Sequence, residues 1–206
     1  HSVVITASDG TASVTDTFTI TVANANDAPT ITSTAVTAAT EDTAYTYTVT
    51  AADVDSSTTI TLTGTTVPSW ATFTASTGVL AGTPLNADVG DNSVVITVSD
   101  GTASVTDTFT IAVANTNDAP TITSSAVLTA TEDSAYTYTV TASDADSDTL
   151  TMTGTTVPGW ATFTASTGVL AGTPLNADVG DNSVVITVSD GNGGSVTDTF
   201  TIAVAN

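Results

Sequence analysis

Ser93-Val94-Val95-Ile96-Thr97-Val98-Ser99-Asp100 returns unchanged as Ser183 to Asp190. Val94, Ile96 and Val98 alternate with Val95, Thr97 and Ser99, the period-2 pattern of a strand buried on one face. A Gly follows each copy, and the resulting Asp100-Gly101 and Asp190-Gly191 mark a hairpin turn. Beyond it Val105, Phe109, Ile111 and Val113 form one face of a second strand. The chain therefore repeats a hairpin, and the repetition extends outward. Trp70 to Asn92 and Trp160 to Asn182 are identical. The period is about 90 residues, the size of a small all-β domain.

Residues 1–26 match 92–117 and read as the last strands of a preceding repeat. Residues 27–117 form one full repeat and 118–206 a second. The short piece lacks the strands needed to enclose a core, so it is expected to be poorly ordered or to borrow neighbouring surface. The copies differ by an indel between Asp55 and Ile60, and by the insertion Asn192-Gly193-Gly194. Both differences mark surface loops.

Alternation also runs through Tyr45, Tyr47 and Val49, and through Ile60 and Leu62, with Thr on the opposite face. Branched Thr suits a pleated surface. No segment keeps a 3.6-residue period, and Glu occurs only at Glu41 and Glu132. About seven short strands per repeat, separated by turn residues, predict an all-β chain of tandem Greek-key β-sandwiches. Ala75-Ser76-Thr77-Gly78 predicts a type I turn closed by a left-handed glycine. Trp70 and Trp160, each after Val-Pro, are expected to plug the end of a core.

Charge narrows the function. There are 21 acids, no Lys, no Arg and one His, for a net charge of −21, and the mean hydropathy is +0.27. The aliphatic content allows a folded core. With no cationic side chain beyond His1, clustered carboxylates must be neutralised by salt or bound cations. Nucleic acid and anionic membranes, which need cationic groups, are excluded as partners. The apolar runs are too short for direct membrane insertion as a helix. Without Cys there are no disulfides or thiolate metal sites. A serine nucleophile would lack a base, since there is no internal His or Lys, and Asp pairs repeated at every boundary fit a structural metal better than glycoside hydrolysis. The chain is therefore expected not to be an enzyme.

The acids and amides gather where one repeat passes to the next. Asn115, Asn117 and Asp118 lie in the joint itself. Asp144 and Asp146 form an Asp-x-Asp pair after a strand, and Asp190 ends another strand. Glu41, Asp88 and Asp91 sit in loops of the previous repeat that can face the same joint. Calcium takes six to eight oxygen ligands from carboxylates, amides and irregular backbone, and this set supplies all three. The earlier joint, Asn24-Ala25-Asn26-Asp27-Ala28-Pro29, keeps Asn26, Asp27, Asp53, Asp55 and Asp100 as a half-site. Glu132, Asp178 and Asp181 form the opposite half.

The joint resembles the calcium-binding linker of cadherins, with its Asn-Asp-Asn before Pro, its Asp-x-Asp and its Ala-x-Asp-x-Gly strand end. Asn117-Asp118-Ala119-Pro120, Asp144-Ala145-Asp146 and Ser189-Asp190-Gly191 match those elements. Glu41 matches the Glu near the start of a cadherin repeat, and Asp88 stands where cadherins carry Asp-Arg-Glu. Phe73 to Pro84, with Thr77-Gly78 and Gly82-Thr83-Pro84, and the close Val105 to Val113 are similar to the bacterial dystroglycan-type cadherin-like (Putative Ig) repeats of large secreted adhesins. The resemblance implies Ca²⁺ at interdomain junctions and an extracellular or cell-surface extender that adheres through many such repeats. An alternative is a calcium-dependent module that binds carbohydrate such as polysaccharide or, homophilically, a like domain on another cell surface. Ala28 and Ala119 replace the second linker Asn, and Asp88-Val89-Gly90 lacks the Glu. These departures imply one or two ions where animal cadherins hold three.

Overall fold

The computed structural model describes residues 1–55 and 59–206. The indel between Asp55 and Ile60 falls partly on residues 56–58, outside the described residues. The chain forms two compact units, one of residues 1–38, 44–83 and 91–112, the other of residues 39–43, 84–90 and 113–206. Each repeat supplies one β-sandwich.

In the first repeat the strands are β3 (Thr30–Ile31), β4 (Ala38–Thr40), β5 (Tyr45–Thr48), β6 (Ala51–Ala52), β7 (Thr61–Thr66), β8 (Ala71–Thr74), β9 (Val79–Gly82), β10 (Gly90–Ser99) and β11 (Ser104–Ala114). One sheet has the order β4-β11-β10-β7, the other β5-β9-β8, and β3 pairs with β6. The second repeat copies this with β12 (Thr121–Ile122), β13 (Thr129–Thr131), β14 (Tyr136–Thr139), β15 (Ala142–Ser143), β16 (Thr151–Thr156), β17 (Ala161–Thr164), β18 (Val169–Gly172), β19 (Gly180–Ser189) and β20 (Ser195–Ala205). A one-turn 3₁₀ helix, Asn86–Asp88 or Asn176–Asp178, precedes the long hairpin. Among the described residues nine segments stand where about seven strands were expected, because the first two strands of each repeat are each broken in two. The halves change partner: β5 pairs with β9 while β6 pairs with β3.

The alternation in sequence becomes the core. Tyr136, Tyr138 and Leu170 from one sheet meet Val184, Ile186, Val188, Ile202 and Val204 from the other. Tyr45, Tyr47, Leu80, Val94, Ile96, Val98, Ile111 and Val113 are buried likewise. Burying such a side chain contributes roughly 1.5–3 kcal/mol. Trp70 stands edge-on to Tyr45 and Trp160 edge-on to Tyr136, with centroids 5.6 Å apart in both pairs. Each indole N–H donates to the Oδ1 of Asn92 or Asn182 at 3.0 Å, so the tryptophans are half-buried plugs with their polar atom satisfied. Gly78 closes its turn at φ +70°, and a Cβ there would stand 2.5 Å from the Val49 carbonyl oxygen. Conformation and space both require glycine.

The N-terminal residues form the hairpin β1 (Ser2–Ser8) and β2 (Ser13–Thr19). Val4, Ile5, Val14, Phe18, Ile20 and Val22 remain exposed on or beside it.

Candidate metal centre

In the second unit the candidate ligands collect at strand ends. β15 delivers Asp144 and β19 delivers Asp190, because both strands stop where their ladder ends. Ser147 then takes a left-handed turn at φ +63°, uncommon for a residue other than glycine, and the loop folds Asp148 back. Asp144 Oδ1 accepts the N–H groups of Asp146 at 2.9 Å and Asp148 at 3.3 Å. One carboxylate oxygen each of Asp144, Asp148 and Asp190 lies within 4.8 Å of the others. Asp144 Oδ2 is buried and has no hydrogen-bond partner. A buried carboxylate oxygen with no donor is costly; beside two further carboxylates, a bound cation would offset that cost.

Asp190 is 4% exposed. Its Oδ1 accepts the N–H groups of Asn192 (2.7 Å) and Gly194 (2.9 Å), and its Oδ2 accepts from the Asn117 amide (2.8 Å). The Asn117 amide, followed by these loop N–H groups, holds the Asp190 carboxyl below the usual carboxylate range, against the opposing effect of burial. Asp146 Oδ2 accepts the Asp118 N–H at 2.7 Å. The joint and both acid-bearing strand ends are therefore tied together. Glu41 is 2% exposed; its Oε2 accepts the Thr116 N–H at 3.1 Å, and its own N–H donates to Ala114 at 2.9 Å.

Two sequence candidates sit elsewhere in the network. Asp88 turns into its own 3₁₀ helix, where Oδ2 accepts the Leu85 N–H at 3.0 Å. Asn115 is exposed. Two residues not anticipated are part of the group. Asn86 donates to Asp146 Oδ1 at 2.7 Å, and Asp148 supplies the third carboxylate, accepting from the Asn192 amide at 2.8 Å. The signal for Asp148 was present as a third acid two residues beyond the Asp144-x-Asp146 pair. Asn86 carried no such signal.

In the first unit the frame recurs. Asp55 accepts from the Asn24 amide (Oδ1, 2.7 Å) and the Asp27 N–H (Oδ2, 2.9 Å), and Asp53 Oδ1 accepts the Asp55 N–H at 2.7 Å. Asn26 donates to Asp100 at 2.9 Å. The N–H groups of Ala103 foremost, then the Asn26 amide and Thr102, hold the Asp100 carboxyl low. Asp53 Oδ2 is again buried without a partner, as is Glu132 Oε2, the counterpart of Glu41.

The family model described as Putative Ig domain matches residues 28–114 and again 119–205. Among solved structures, PcdhgB3 EC1-4 is 19% identical with a TM-score of 0.62, the match covering 99% of this chain and 56% of that one. Human protocadherin-24 EC1-2 is 18% identical with a TM-score of 0.55, covering 88% of this chain and 100% of that one. These likenesses show the cadherin-like sandwich fold. The endo-fucoidan hydrolase MfFcnA4 of glycoside hydrolase family 107 is 29% identical over 100% of this chain and 34% of its own, with a TM-score of 0.42. This chain thus spans about a third of that protein's length. No curated protein matches the chain.

Proposed function

We propose a function on one premise: the chain belongs to the Putative Ig domain family, in two tandem copies. Our reading is a calcium-rigidified extender segment of an extracellular adhesion protein, with repeats bounded at 27–117 and 118–206 and a preceding repeat ending at 1–26. The observation that carries it is the buried, unpartnered Asp144 Oδ2 beside Asp148 and Asp190, in a chain without Lys or Arg.

Asp144, Asp146, Asp148 and Asp190 would hold the ion, with Asn117, Asp118 and Glu41 alongside. Asn115 offers amide and backbone oxygens, and Asp88 a carboxylate released from its turn. A divalent cation supplies the charge that the chain lacks. Carboxylates that repel one another without it become common ligands with it, which fixes the loops and the joint at once. The amides of Asn86, Asn117 and Asn192 now aim N–H groups at carboxylates, partial substitutes for that charge. Asp53, Asp55 and Asp100, with Asn26 and Asp27, form a weaker site of the same kind. The role is read as structural and not enzymatic: a serine nucleophile would lack an internal His or Lys as its base, and the Asp pairs recur at each repeat boundary, as a structural metal would require. An extracellular place suits the fold and the acidity. Among the described residues no helix is long and apolar enough to cross a membrane.

Calorimetric titration, with small-angle scattering in Ca²⁺ and in EGTA, tests the reading. Binding to the native state alone stabilises by about 2.7 kcal/mol at a ligand concentration about 100-fold above Kd. Heat of binding, a raised Tm and a changed maximum dimension are expected. An absence of heat together with unchanged scattering overturns it.

A further inference from the structure

Acids are unevenly placed in this chain. None lies between Asp55 and Asp88, and none between Asp148 and Asp178. These stretches carry the same strands, β7, β8 and β9 in one unit and β16, β17 and β18 in the other. β7 ends the four-stranded sheet and β8 ends the three-stranded one. The two edges are neighbours: a Cβ on Gly64 of β7 would stand 3.0 Å from the Cβ of Phe73 on β8. Gly154 and Phe163 repeat the contact at 3.1 Å. One flank of each sandwich is therefore made of two adjoining edge strands without a charged side chain. Its exposed side chains in the first unit are hydroxyls, at Thr61, Thr63, Thr65, Thr66, Thr72 and Thr74. The adjoining strand β10 continues the surface, with the Thr65 and Thr97 hydroxyls 3.0 Å apart.

Sheet edges in soluble proteins are protected by charge, proline, bulges or a covering element. β7 has only a register shift opposite Val95 and Ile96, and β16 has the same irregularity between Gly154 and Thr156. Two chains of net charge −21 with no cationic side chain beyond His1 repel wherever carboxylates meet. The acid-free flank is where two copies can approach without bringing them together.

We propose that this flank is a self-association surface, on which β7 or β16 of one copy adds antiparallel to the same edge of a second copy about a two-fold axis. The occupant is a second copy because the flank offers unpaired backbone N–H and C=O groups and lacks an exposed aromatic platform for sugar rings. Phe73 and Phe163 are half-buried, and Trp70 and Trp160 are committed to Tyr45 and Tyr136. An open groove at the start of β7, lined by Ala51, Ile60, Leu62 and Ala75, adds apolar area. The contact needs no calcium and contains no ion pair. Salt should therefore strengthen it by screening the acids elsewhere, the opposite of an interface held by ion pairs.

Sedimentation velocity of the full chain in EGTA, over a range of protein concentrations and from about 0.05 to about 1 M salt, tests it independently of the calcium reading. The variant is Thr63→Asp with Thr153→Asp, both exposed positions on the flank. The control is Thr46→Asp with Thr137→Asp, which adds the same charge on β5 and β14. Wild type and control should form dimers that increase with salt, and the flank variant should associate roughly tenfold more weakly with an unchanged Tm. A wild type that stays monomeric at every salt overturns the proposal. So does a flank variant that associates like the control, association that falls with salt, or a monomer that binds neutral polysaccharide through Thr63 and Thr153.

Discussion

Asn24–Pro29 and Asn115–Pro120 are nearly the same segment, yet they gather different surroundings. Around the first, Asp55 and Asp100 take up the backbone and amide donors of Asn24, Asn26 and Asp27. Around the second, Asp146 and Asp190 do the same for Asn86, Asn117 and Asp118. The frame is conserved because it is made at strand ends, and the strands are nearly identical. What changes is the third carboxylate. Asp148 exists only in the second repeat, brought beside Asp144 by the left-handed Ser147 and held there by Asn192 from the inserted Asn192-Gly193-Gly194. Two small loop changes, far apart in sequence, thus complete one group. Charge count at a junction is adjustable without disturbing the sandwich that carries it.

The largest effect expected from this difference is in calcium-dependent melting. Asp144→Asn should remove most of the calcium-induced gain, which is about 2.7 kcal/mol near 100-fold saturation and corresponds to roughly 15 °C in Tm for a domain of this size. Asp53→Asn, the equivalent change in the first unit, should remove a smaller part, about 1 kcal/mol. Differential scanning calorimetry at fixed ion concentration separates the two. Equal losses from the two variants would show that the third carboxylate adds nothing.

A narrower comparison isolates Asp148 itself. Asp148→Ser leaves Asp144, Asp146 and Asp190 in place but removes the acid that the first repeat lacks. Calcium affinity at the second site should fall roughly tenfold, about 1.4 kcal/mol, and approach that of the first. Calorimetric titration of the variant checks this, and an unchanged affinity would place the ion away from Asp148.

The strands were legible in the sequence for a plain reason. Each buries one face, so Tyr45, Tyr47 and Val49 must alternate with threonine, and a one-residue slip would expose the core. The break between β5 and β6 was not legible, because the alternation runs on unbroken while the chain changes its pairing partner, a tertiary event. At the site, carboxylates in Asp-x-Asp spacing or at a strand end could be read directly, and Asp144, Asp146 and Asp190 do come together with Asn117 and Asp118. Asp148 was not legible, because the first repeat has no counterpart across the indel. Asp88 was placed by its charge, but it caps the Leu85 N–H of its own turn. Its uncharged neighbour Asn86 makes the reach to Asp146. Charge marks candidate ligands in a sequence; direction comes from the backbone.

The smallest expected difference lies where the repeats are the same. The Tyr45 hydroxyl donates to the Val36 carbonyl and that of Tyr136 to Val127, each at 2.7 Å. Burial first, and then the neighbouring tyrosine, Tyr47 or Tyr138, push both phenols up to about 12 from 10.0. The raised group is one whose protonated form the fold prefers. Its contribution to stability is complete below the unfolded pKa near 10 and is lost as pH rises through about 12. Both sandwiches should therefore weaken together over that window, whatever calcium does at their junctions. Urea titrations at pH 9 to 12 can follow each repeat alone, with Trp160→Phe leaving Trp70 as the reporter and Trp70→Phe the reverse. Tyr45→Phe or Tyr136→Phe should cost about 1 kcal/mol at neutral pH through the lost hydrogen bond and flatten the alkaline limb of its own repeat only. An alkaline loss confined to one repeat would mean that the two cores are not equivalent, and that differences between the units reach beyond the loops at their ends.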